Sequence, residues 1–152
     1  SNRDFVVWNK PVVSPVKGKV IEVVRDQADN PSRIEGGEFK NRQDGNYIGI
    51  DIGEGFYAYF LHFKKGSIPE SIEIGSEINV GDFLGTVGNS GVSLVPHLHL
   101  SLYYYDTGTK RYWSVPGLFT NLKIGSLQGA EPKAVQYYVP TSGDLIYSGD
   151  AN

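Results

Sequence analysis

Three histidines carry most of the chemical capacity of this chain, and two of them lie one residue apart in Pro96-His97-Leu98-His99-Leu100. In an extended segment, residues i and i+2 share a face. His97 and His99 are therefore expected to present two imidazoles side by side, with Leu98 and Leu100 turned toward a core. Imidazole titrates near neutrality and offers a nitrogen lone pair, which suits a metal ion or acid–base work. H-x-H alone is equally compatible with two solvated or hydrogen-bonded histidines. His62 ends a strand-like run over residues 55–63 and opens into Lys64-Lys65-Gly66-Ser67, where a surface histidine would also be at home.

These side chains need short strands and tight turns to hold them. Strand-like runs fall at residues 5–8, 12–16, 19–24, 47–52, 56–62, 76–80, 83–87 and 97–105. Turn chemistry separates them at Lys17-Gly18, Asp44-Gly45-Asn46, Gly53-Glu54-Gly55 and Gly88-Asn89-Ser90-Gly91. No apolar stripe of helical period exceeds two turns. Residues 25–45, rich in Asp, Asn, Gln, Arg and Gly, read as one long exposed loop, a length usually kept for function. Asp51, Asp82 and Asp106 read as turn or solvent-face residues. Tyr103-Tyr104-Tyr105 suits either a groove lining or aromatic packing on a sheet.

The expected fold is all-β: antiparallel sheets forming a barrel-like or sandwich domain over residues 1–119, with a coil-rich C-terminal extension over 120–152. A chain of 152 residues supports one core of useful size. A formal charge of −3 without a Lys/Arg run argues against nucleic acid or an anionic membrane surface as partner. No apolar stretch approaches the roughly 20 residues that span a bilayer, and no export signal is present in the chain. The absence of Cys excludes a disulfide framework, a thiolate-bound zinc and a thiol nucleophile. With no Met either, the sequence is expected to be a fragment of a longer chain.

Order along the chain adds what spacing alone does not. Gly45-Asn46-Tyr47-Ile48-Gly49-Ile50, then Tyr59-Phe60-Leu61-His62, then residues 74–91 and Pro96-His97-Leu98-His99, form a series that resembles the lysostaphin-type (LytM-like) zinc endopeptidases of peptidoglycan. Residues 11–20 resemble the stretch that follows the metal-binding Asp of that family. The likeness covers about residues 4–105 and implies the family's duplicated hybrid β-motif. It also implies one Zn2+, bound by Asp4 and His99, with His62 and His97 as catalytic non-ligand histidines. Peptidoglycan peptides would be the partner, and the location would be extracytoplasmic. The family's first ligand is the His of an H-x-x-x-D motif, which would fall one position before Ser1.

Two other functions compete with that reading. One is a non-catalytic LytM-like domain, short of one zinc ligand, that binds wall peptides or a partner hydrolase. The other is a carrier domain of lipoyl or phosphohistidine type; Lys64-Lys65 lacks a carrier lysine's setting, and phosphate transfer to a histidine would be its mark.

Overall fold

The computed structural model describes residues 1–31, 44–126, 131–142 and 144–148. Most of the expected loop 25–45 therefore lies outside the described residues. Strands follow the alternation of the sequence: β1 (Pro11–Val13), β2 (Gly18–Val24), β3 (Asn46–Gly53), β4 (Phe56–Phe63), β5 (Glu77–Ile78), β6 (Phe83–Thr86), β7 (His99–Asp106) and β8 (Arg111–Ser114). Six of them form one antiparallel sheet in the order β5-β2-β3-β4-β7-β8, and β1 pairs with β6 in a small second sheet. The all-β expectation holds, in a layered arrangement and not a closed barrel.

The core lies on one face of the large sheet. Val20, Ile48, Ile50, Ala58 and Phe60 alternate along β2, β3 and β4. They cluster with Val12 of β1, Leu84 of β6, and Ile68, Ile72 and Ile78. Leu100 and Leu102 of β7 close the cluster, partly buried. Phe60 and Phe63 are almost wholly buried, and each such side chain contributes about 1.5–3 kcal/mol relative to exposure.

The chain divides into two compact units, Ser1–Ser114 and Val115–Asn152; the sequence reading sets the change of character at 119/120. The second unit carries β9 (Phe119–Ser126), β10 (Lys133–Tyr138) and β11 (Asp144–Ser148), with β9 paired antiparallel to both neighbours. This is more strand than a coil-rich extension. Its described side chains are all exposed or half-buried, so no apolar/polar alternation announces the strands.

The start of the chain also differs from expectation. Residues 5–8 are turns and not a strand: a 3-10 turn at Asn2–Asp4 begins with a capping box from Ser1. Trp8 N–H then donates to Phe5 O at 3.0 Å, and Asn9 takes a left-handed φ of 61° before β1. Among the described residues, no helix is long and apolar enough to cross a membrane.

Candidate metal centre

The site begins with an irregularity in β4. Tyr47 pairs with Leu61 and Asn46 with Phe63, which leaves His62 as the extra residue of a β-bulge. Its φ is +69°, a left-handed conformation that costs a non-glycine residue on the order of 1–3 kcal/mol. The bulge breaks strict alternation, so His62 and Phe63 are both buried in succession. Bulges beside functional sites commonly re-aim one side chain in this way.

His97 and His99 arrive from the other side. Gly88 N–H donates to His62 O at 3.0 Å, tying the 88–96 loop to the bulge. That contact requires a glycine, because a Cβ at position 88 would collide with the backbone of Lys64 and Phe63. β7 begins at His99, so His97 sits in the bend before the strand and not within it. Leu98 is consequently exposed instead of core-facing. The imidazoles still converge: the His97 and His99 rings lie 4.7 and 5.8 Å from the His62 ring, centroid to centroid.

Hydrogen bonds fix which nitrogen each ring offers. His62 Nδ1 is 2.8 Å from the Ser90 carbonyl, and His97 Nδ1 is 2.8 Å from the Val95 carbonyl. A carbonyl oxygen can only accept, so both Nδ1 atoms carry the proton and both Nε2 lone pairs remain available. His99 differs, with its Nε2 at 2.8 Å from Ser101 Oγ. Burial holds the His62 pKa below the usual imidazole value, opposed by the Ser90 carbonyl and reinforced by His97 and His99. A buried neutral imidazole of this kind is fit to take up a proton or donate to a metal.

Beneath the rings runs a polar network that the sequence reading did not single out. Ser93 Oγ donates to Asn89 Oδ1 at 2.6 Å and lies 3.2 Å from His97 Nδ1. Asn89 N–H donates to Asp29, and Asn89 Nδ2 donates to Asn2 Oδ1 and to the Asn30 carbonyl. Ser90 Oγ donates to the Phe63 carbonyl and accepts from Asn46 N–H. Asn46, Asn89, Ser90 and Ser93 are all buried. A run of small polar residues in Gly88-Asn89-Ser90-Gly91 was the available signal, and it read as a turn.

His62, His97 and His99 each place one potential ligand nitrogen so that all three lie within 4.8 Å of one another. Nitrogens on one tetrahedral ion with bonds of about 2.0–2.1 Å sit roughly 3.3–3.5 Å apart, within reach of modest ring rotation. The cluster thus offers imidazole nitrogen of the kind a divalent metal such as zinc takes, with room for one ring to ligate and the others to stand beside it. Asp4 is elsewhere in character: it caps the Asn2–Asp4 turn, accepts from the Ser1 amino group at 2.7 Å and is exposed. The group of potential ligands formed by the three histidines does not include it.

An "Uncharacterized metalloprotease" of Buchnera aphidicola subsp. Baizongia pistaciae is 33% identical over 63 residues, 41% of this chain and 16% of its own length. The catalytic domain of lysostaphin, an antimicrobial peptidase from Staphylococcus simulans, superposes with a TM-score of 0.49 at 21% identity, covering 72% of this chain and 70% of that one. A mutant catalytic domain of a prophage-encoded M23 protein from Enterococcus faecalis gives 0.49 and 21%, covering 65% and 62%. The chain thus spans less than two thirds of the Buchnera and Enterococcus chains. The sequence pattern of peptidase family M23 matches residues 4–111, and on that match the chain belongs to this family.

Proposed function

We propose that this chain is a zinc-dependent endopeptidase that hydrolyses peptide cross-links of bacterial peptidoglycan, acting outside the cytoplasm. The observation that carries the reading is the convergence of three imidazoles, two of them held by backbone carbonyls with Nε2 directed away from the proton. Zinc, when bound, supplies Lewis acidity toward the scissile carbonyl and makes water a usable nucleophile near neutral pH. His99 is the ligand this chain contributes from H-x-H. His62 and His97 take the proton from the attacking water and return it to the leaving amine, each with a carbonyl steadying the imidazolium that forms. Asp4 is the carboxylate ligand of the family pattern, and Asp4→Ala decides its part through zinc affinity.

The test measures zinc per chain together with soluble fragments and new amino termini released from purified peptidoglycan. One zinc per chain and chelator-sensitive release support the reading. Retention on peptidoglycan at full zinc loading without released fragments would replace it with the binding-only function.

A further inference from the structure

The open face of the large sheet, opposite the core, holds an arrangement that the histidine centre does not use. Glu22, Gly49, Tyr59 and Ser101 form one row across β2, β3, β4 and β7, since Glu22 pairs with Gly49, Gly49 with Tyr59 and Tyr59 with Ser101. Ser101 is the residue hydrogen-bonded to His99, so the row starts at the centre and runs outward. At its far end the Glu22 carboxylate accepts one hydrogen bond on each oxygen, from Tyr47 at 2.9 Å and from Tyr59 at 3.0 Å.

Tyr59 reaches Glu22 by lying across the intervening strand. A Cβ on Gly49 would meet the Tyr59 ring at 2.7 Å, so glycine there is the condition for the ring's path. Tyr47 and Tyr59 stand with ring centroids 6.3 Å apart, and Tyr103 closes on Tyr59 edge-on at 5.8 Å. Burial and the Glu22 hydrogen bond raise the Tyr59 pKa, so its hydroxyl remains a donor throughout the physiological range. Among the described residues no cation pairs with Glu22; the ion pairs there are Ser1 with Asp4 and Lys19 with Glu77. Each carboxylate oxygen keeps an unused lone pair. An exposed anion, clamped in one orientation and flanked by aromatic rings, is complementary to a compact cation.

We propose that Glu22, Tyr47 and Tyr59 form a subsite for a primary ammonium group carried by the peptide substrate. The proposal rests on the peptidase reading for its choice of ligand, a peptide. Three strand spacings of about 4.8 Å separate the Glu22 and Ser101 positions. The ammonium therefore binds roughly four extended residues away from the bond to be cut. Charge at that distance selects among wall peptides and sets their direction across the sheet without taking part in bond breaking.

The test uses the whole chain, freed of metal by chelation so that nothing is cleaved, and reads binding by calorimetry and by Tyr ring NMR shifts. Four probes are compared: tetraglycine with a free amino terminus, its N-acetyl form, an N-acetylated Gly-Gly-Lys-Gly, and the same peptide acetylated on the lysine. The expected result is at least about ten-fold tighter binding of one free-amine probe than of its acetylated partner, weakening with salt. The probe that wins tells a terminal amine from a side-chain one. Glu22→Gln should erase the preference with an unchanged melting temperature, and Gly49→Ala should weaken it by displacing Tyr59 without altering any charge. Equal binding of free and acetylated probes overturns the proposal. Hydrolysis without amine preference removes this subsite alone; amine preference without hydrolysis removes the peptidase reading alone.

Discussion

Ser1–Ser114 and Val115–Asn152 are both built from antiparallel strands, yet among the described residues only the first shows a buried interior. Its large sheet is apolar on one face and polar or aromatic on the other, with Ile48, Ile50, Ala58 and Phe60 packed away from water. In the second unit β9 is flanked by β10 and β11, but no described residue is buried and Leu118, Tyr137, Val139 and Ile146 are exposed. Backbone pairing alone builds a sheet; a packed core is what can hold a strained residue such as His62 in place. The candidate metal centre lies in the unit able to pay that cost.

Four measurements bear on the contrast. His97→Ala should lower peptide hydrolysis by about 10²–10⁴-fold, the range for a positioned acid or base, with circular dichroism unchanged; an equal loss from Ile124→Ala in β9 would refute the separation of roles. Phe60→Ala should cost about 3–5 kcal/mol in urea denaturation, whereas Ile124→Ala, at a half-buried position, should cost less than about 1 kcal/mol. Gly88→Ala should cost about 1–3 kcal/mol through its clash with Lys64 and Phe63, and zinc uptake should fall with it. A cost below the error of the melt would show that the 88–96 loop shifts freely.

The smallest effect concerns one turn in each unit. Hydrogen bonds from Thr109 and Gly108 hold the Asp106 carboxyl below its usual pKa, and those from Thr141 do the same for Asp144. A depressed folded pKa means the stabilisation is complete above the ordinary carboxylate range and fades as pH falls through the folded value. Amide protection in both turns, measured relative to the intrinsic exchange rate at each pH, should therefore fall between pH 5 and pH 2, and Asp106→Asn should remove that dependence in the first turn only. A pH-independent turn would show that its backbone does not depend on the carboxylate.

The large sheet was legible because one buried face imposes alternation on β2, β3 and β4. The three-stranded sheet was not, since none of its described side chains is buried and so none marks a period. His62, His97 and His99 were visible as residue types, and spacing brought two of them together. What spacing could not show was the bulge: Phe60-Leu61-His62-Phe63 carries no glycine to mark it, and only pairing with Asn46 and Tyr47 reveals the extra residue. Glu22 escaped for a related reason, because its partners Tyr47 and Tyr59 lie on other strands. Ser90 looked like a turn residue until the carbonyl it turns toward His62 came into view, and Ser93, whose hydroxyl meets His97, carried no signal of its own.

The left-handed backbone at His62 carries a consequence for how this position can vary. Once the imidazole is gone, the ranking of substitutes should follow torsional tolerance and not bulk or polarity. Glycine and asparagine should outlast alanine, and valine should fare worst. A library randomised at this codon and challenged with heat would thus drift toward glycine, while the same library challenged for hydrolysis would keep histidine, and the two selections would pull a lineage in opposite directions.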